Sequence, residues 1–139
     1  MPAELTLRVI TPDKIALDAP VSSVRLPALD GQMGVLPRHA NMVTALDTGD
    51  LIYRGPGGSE EHLFVSGGFA EVRGGTTLRV VTEAGERPEE IDEERARAAE
   101  ERARERLATG RTGMEDFDLL RAEFALRRAM MRLRVRSQR

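Results

Sequence analysis

From Leu5 to Thr11 apolar Leu5, Leu7 and Val9 alternate with Thr6, Arg8 and Ile10, the period of two that marks a strand buried on one face. Thr11-Pro12-Asp13-Lys14 reads as a turn. Ile15 to Ala19 and Val21 to Leu26 follow as short strands divided by Pro20, which has no N–H for a ladder and so places them at an edge or corner. The stretch from Leu26 to Leu46 organises what surrounds it. Asp30-Gly31 is a turn pair and Gly34 permits close backbone approach or a second tight bend, so an exposed tip is expected with Gln32 and Met33 pushed outward. Val35 and Leu36 form a short strand that ends at Pro37. Val43 to Leu46 and Leu51 to Arg54 flank Asp47-Thr48-Gly49-Asp50, a hairpin-type connection. Gly55 to Ser59 is a chain breaker, and His62 to Ser66, Phe69 to Arg73 and Thr77 to Thr82 complete the strands, with paired glycines at Gly67-Gly68 and Gly74-Gly75.

Short strands every ~8–12 residues, each ended by turn chemistry, predict an antiparallel sandwich or flattened barrel. The pattern then changes at Gly85-Glu86-Arg87-Pro88, read as a linker dividing residues 1–86 from 87–139. Asp92 is a candidate N-cap, with Glu93 and Glu94 in the first turn where the helix dipole favours anions. Ala96, Ala99, Ala103 and Leu107 make a narrow stripe of small side chains at helical spacing, and Glu93–Arg97 and Glu100–Arg104 are favourable i,i+4 pairs. Thr109 to Gly113 breaks this helix, and Asp116 is expected to cap the next. There Leu119, Ala122, Leu126, Ala129 and Leu133 form a heptad seam, widened by Phe117, Leu120, Phe124 and Met131. Facing alanine stripes across a short loop describe an antiparallel two-helix hairpin. The fold class is therefore α+β: an N-terminal β-sandwich, then an α-helical hairpin. Alanine faces remove little apolar area from water, so the hairpin is marginal alone. It suits a mobile arm and a permanently docked one equally well.

Composition narrows the chemistry. Among 139 residues there is no Cys or Trp, which removes disulfides, thiolate catalysis and Cys-based zinc sites and fits a reducing compartment. No run approaches the ~18 apolar residues of a membrane span, and Met1-Pro2-Ala3-Glu4 lacks the basic start of a signal peptide; a cytoplasmic protein is expected. The net charge of −2 hides an asymmetry: residues 121–139 carry seven Arg against one acid, a cationic handle for an acidic partner. Nucleic acid is disfavoured as that partner, because Phe117 and Phe124 fall on the apolar face and the rest of the chain is acidic. His39 and His62, the two histidines, have no metal-pair spacing, Ser66 lacks a nucleophile elbow, and Gly55 to Ser59 lacks the Lys-Ser/Thr of a phosphate loop. No catalytic or metal site is expected.

Four stretches in order, TLRVITPD (Thr6–Asp13), the Asp30–Gly34 loop, LFVSGGFAEV (Leu63–Val72) and IDEERA (Ile91–Ala96), resemble the epsilon subunit of F-type ATP synthases almost from end to end. The resemblance implies a non-catalytic central-stalk subunit whose β-domain binds the gamma subunit and rests on the membrane ring of c subunits. Its loop Asp30, Gly31, Gln32, Met33, Gly34 would face the ring with His39 nearby, although many members carry an acid where Gln32 stands. It implies helices that extend along gamma and restrain ATP hydrolysis, with Arg121, Arg127, Arg128, Arg132 and Arg134 meeting acidic beta-subunit segments beside the alpha subunits. It requires no cofactor and admits ATP as a regulatory ligand. Ile91 and Asp92 would meet the base, with Glu86 nearby and Ala96 completing the motif, and Arg95, Arg102, Arg128 and Arg132 would take the phosphates. The implied location is peripheral, through the complex, on the cytoplasmic side of the inner membrane.

Overall fold

The computed structural model describes residues 4–110 and 115–139, with the side chain of Phe117 outside the description. The start Met1-Pro2-Ala3, the loop break beyond Gly110 and the apolar role of Phe117 therefore lie outside the described residues. The chain divides into two compact units, Met1–Arg87 and Pro88–Arg139.

The first unit is all β. Its strands are β1 (Leu5–Ile10), β2 (Ile15–Val21), β3 (Ser23–Ala28), β4 (Gly31–Val35), β5 (Met42–Arg54), β6 (Glu60–Arg73), β7 (Thr77–Val81) and β8 (Gly85–Glu86). They join in the order β2-β1-β7-β6-β5-β3-β4, with β8 added to β6. Neighbours are antiparallel except β1 and β7, which run parallel. The period of two in β1 is realised as read, with Leu5, Leu7 and Val9 fully buried. Together with Val24, Leu26, Val35, Leu51, Leu63, Val65, Val72, Leu78 and Val80 they form one aliphatic core.

Several details differ from the sequence reading. Pro20 does not divide two strands: it lies within the edge strand β2 opposite Thr6, and the division falls at Ser22. Asp47 to Asp50 is no hairpin connection: β5 runs straight through it, and Thr48, Gly49 and Asp50 pair with Ser66, Val65 and Phe64 of β6. Long β5 and β6 are instead joined at Gly55–Ser59, where Gly58 N–H bonds Gly55 O at 2.9 Å. The Asp30–Gly34 stretch bends once, not twice. Its turn is Leu29-Asp30, Gly31 takes φ 124°, and Gln32 to Gly34 pair along β3 with Pro27 to Arg25. Gln32 thus lies exposed on the edge strand, while Met33 packs half-buried on the core. Gly85-Glu86, read as linker, is strand β8 against Phe64 and Val65.

A bend at Gly67-Gly68 lets β6 serve both ends of the sheet. Gly67 and Gly68 have φ of 71° and 98°, and beyond them Phe69 to Arg73 pair with β7. A second tight point joins Arg38 to Gly75. The Leu36–His39 turn closes through His39 N–H to Leu36 O at 3.1 Å, Arg38 takes φ 68°, and its N–H reaches Gly75 O at 2.8 Å. Positive φ at the third place is what a type II turn requires, and proline is favoured at its second.

In the second unit a 3₁₀ turn (Pro88–Glu90) precedes α1 (Glu93–Thr109) and α2 (Asp116–Arg136). Asp92 caps α1 as expected, its carboxylate accepting the Arg95 N–H at 3.1 Å. Asp116 does not cap α2: the capping position is Glu115, without a side-chain bond, and Asp116 is in the first turn. The buried positions are Ala96 and Ala103 on α1 and Ala122, Ala129 and Val135 on α2. The alanine stripes are thus the contact, while Leu119, Leu126 and Leu133 are only half-buried.

Candidate functional site

The charged residues of the hairpin are placed by its antiparallel course, which brings the start of α1 against the end of α2. Arg136, in the last turn of α2, donates from Nη1 to the Pro88 carbonyl at 3.2 Å. Beside it a cavity of about 400 Å³ is lined by Glu93, Arg97, Leu133, Arg136, Ser137 and Arg139. Arg97 Nη2 donates to Glu93 Oε1 at 2.8 Å. That bond and the Arg97 charge, joined by Arg136 and Arg139, hold the Glu93 carboxyl below the usual carboxylate range, and the Arg97 pKa is raised in turn. Ser137 Oγ donates back to Arg134 O at 2.6 Å. Glu93 and Arg97 were legible as an i,i+4 pair; Arg136 and Arg139 were not singled out, although pairing two antiparallel helices end to start would have found them.

The residues assigned to nucleotide are placed as follows. Asp92 is engaged at the helix start, and Ile91 and Ala96 are buried. Arg95 and Arg102 are exposed two turns apart on α1, and Arg128 and Arg132 are half-buried one turn apart on α2. Glu86 belongs to the other unit, on β8. None of the eight lines the cavity at Glu93, whereas Arg102 lines a smaller one of about 270 Å³ with Glu105, Arg106 and Thr109. Of the arginines assigned to beta subunits, Arg121, Arg127 and Arg134 are exposed on α2. Beside them lie apolar side chains in water: Leu120 is 50% and Phe124 47% exposed, so these two, read as widening the seam, do not enter it, whereas Met131 is half-buried.

In the sheet unit the reading missed an outward apolar face. Val43 stands beside Glu71, Ala45 beside Phe69, and Phe69 beside Val81 across β5, β6 and β7. Leu29 joins them through its N–H to Ala45 O at 3.2 Å. Val43 is 68%, Leu29 62% and Phe69 43% exposed. The signal was available, since Phe69 is out of phase with the buried Ala70 and Val72 on β6, and Val43 with the buried Leu46 on β5. His39 Nδ1 donates to its neighbour's carbonyl, Ala40 O, at 2.7 Å. His62 Nδ1 donates to Asp50 Oδ2 at 2.8 Å within the β5–β6 ladder, a structural cross-strand bond. Among the described residues no group of three or more His, Asp or Glu could hold a metal, and no helix is long and apolar enough to cross a membrane.

Comparison with known proteins agrees with this architecture. The family model for the ATP synthase delta/epsilon chain β-sandwich domain matches residues 4–88, and that for its long α-helix domain matches residues 89–136. An ATP synthase epsilon chain of Nitratidesulfovibrio vulgaris is 45% identical over 98% of both chains. One from Moorella thermoacetica is 44% identical over 96% of both. Among solved structures, a chain of the Euglena gracilis mitochondrial ATP synthase (OSCP/F1/c-ring) superposes with TM-score 0.79 at 29% identity, covering 94% of this chain and 79% of that one. A Tetrahymena thermophila mitochondrial ATP synthase chain shares the fold at TM-score 0.54 and 18% identity, covering 99% and 96%.

Proposed function

Because the chain belongs to the ATP synthase delta/epsilon chain family, we propose that it is a non-catalytic rotor subunit. In this reading it couples the c-ring to gamma, and its α1–α2 hairpin restrains ATP hydrolysis. The observation that carries the stalk role is the outward face of Val43 and Phe69 on the sheet and Leu29 on the adjoining turn, three large apolar side chains left in water. Such a patch marks a protein-binding surface, and gamma is its proposed occupant. The edge hairpin from Asp30 to Gly34, with neutral Gln32 exposed, is the proposed ring contact, His39 following it in the next turn. Arg121, Arg127, Arg128, Arg132 and Arg134 supply the charge that would hold the hairpin against acidic beta-subunit segments. ATP remains a proposed regulatory ligand through Arg95, Arg102, Arg128 and Arg132, with Ile91 and Asp92 toward the base and Ala96 and Glu86 completing the set. The proposed location is peripheral, on the cytoplasmic side of the membrane.

Val43→Asp with Phe69→Asp tests the docking face. Both side chains are exposed, so the sheet should persist, at a cost of about 1 kcal/mol per site from the poor strand propensity of Asp and, at position 43, from the like charge of Glu71 opposite. Loss of a buried apolar anchor at an interface costs about 2 kcal/mol or more, so co-purification of the chain with gamma should fall by more than tenfold. Undiminished co-purification would place the gamma contact elsewhere.

A further inference from the structure

The cavity beside Glu93 is unused by the proposed function and is built from residues outside the nucleotide set. We propose that it is an oxyanion site that takes the phosphate group of a small molecule on Arg97, Arg136 and Arg139. Three guanidiniums against one carboxylate leave its lining with two net positive charges, the charge of a phosphate dianion. Guanidinium forks match phosphate oxygens in geometry as well as charge.

The helix dipole does not account for the cluster. Arg136 and Arg139 lie at or beyond the negative end of α2, but Arg97 lies in the second turn of α1, beyond the reach of either helix's negative end. Glu93 bonds Arg97 through one of its two terminal nitrogens at 2.8 Å, and the Glu93 charge also reaches Arg136 and Arg139 without a bond to either. Arg136 is oriented by its bond to Pro88 O from Nη1, which leaves its other nitrogens for a ligand. The volume of about 400 Å³ falls within the range of small-molecule sites and exceeds a lone phosphate. A concave site between two helix ends favours a compact anion over an extended acidic peptide. Leu133 supplies an apolar wall.

The proposal does not rest on the stalk reading, and its test needs only the full chain. Inorganic phosphate and pyrophosphate are titrated at constant ionic strength, following backbone amide resonances. Saturable shifts are expected at Glu93–Arg97 and Leu133–Arg139, tighter for pyrophosphate. Arg139→Ala, at an exposed side chain, and Arg136→Ala should each weaken binding about tenfold, the worth of one charge-assisted hydrogen bond, while Arg104→Ala, at an exposed position on α1 outside both proposed sites, leaves it unchanged. Shifts that chloride reproduces, that ignore Arg139→Ala, or that centre on Arg102 and Arg106 would overturn the site, as would no saturable shift at all.

Discussion

Gly68→Ala should cost the sheet unit about 3 kcal/mol or more, from backbone strain plus a displaced ladder bond. A Cβ at Gly68 would stand 1.9 Å from the Val81 carbonyl oxygen, 2.9 Å from its carbon and 3.0 Å from Thr82 Cα. All three are backbone atoms, so no rotamer change gives room. The displacement falls where β6 first pairs with β7, at Phe69 opposite Val81. Gly68 also has φ 98°, outside the range an alanine adopts without strain. Gly67 is the control next door: its φ is 71° but its nearest neighbour, Leu46 O, is 3.9 Å away. Gly67→Ala should therefore cost only the conformational part, about 1 kcal/mol. Denaturant unfolding of both variants measures the difference, and equal midpoints would show that close packing at Gly68 is not what its position requires. Against a typical domain stability of ~5–15 kcal/mol, the larger loss threatens folding at physiological temperature.

Ala129→Glu should melt the hairpin and spare the sheet. Ala129 is 1% exposed in the seam between α1 and α2, and the contact there is made largely of alanines that let the helices approach closely. A glutamate would both wedge the helices apart and bury a charge, a change worth about 3–5 kcal/mol when no partner is supplied. The hairpin buries little apolar area and has no comparable reserve. Helical circular dichroism should drop by more than half while amide resonances of β1 to β7 stay in place, because every member of the sheet core lies in the first unit. Ala98→Glu, at an exposed position on α1, should leave the dichroism unchanged. A hairpin that survives Ala129→Glu would mean that the alanine contact is not what pairs the helices.

What was legible in the sequence was local. The alternation of β1, the breaker at Gly55–Ser59, the Asp92 cap and the alanine stripes each follow from a few adjacent residues. What failed depended on partners far along the chain. Asp47 to Asp50 has turn composition, yet the strand continues because β6 pairs along it. There Asp47 Oδ1 accepts the Thr48 N–H at 2.8 Å and Asp50 accepts from His62. Gly85-Glu86 became a strand for the same reason, finding Phe64 and Val65. Leu120 and Phe124 fit an apolar stripe by spacing, but α1 presents a row of alanines too narrow to cover them. The arginines of the proposed phosphate site were each visible, and only the antiparallel return of α2 puts Arg136 and Arg139 beside Arg97.

The structure also shows where the two proposed roles can be separated. A break after Ala84 would remove β8 from the sheet, whereas a break after Arg87 leaves the whole first unit, with its proposed docking face, intact. The decisive measurement is ATP hydrolysis by the cognate catalytic complex reconstituted with the full chain or with residues 1–87. The account predicts that both join the complex and that hydrolysis rises severalfold with the shorter chain. Equal hydrolysis by two complexes that both contain the chain would contradict the restraining role, and failure of both forms to join would contradict the stalk role itself.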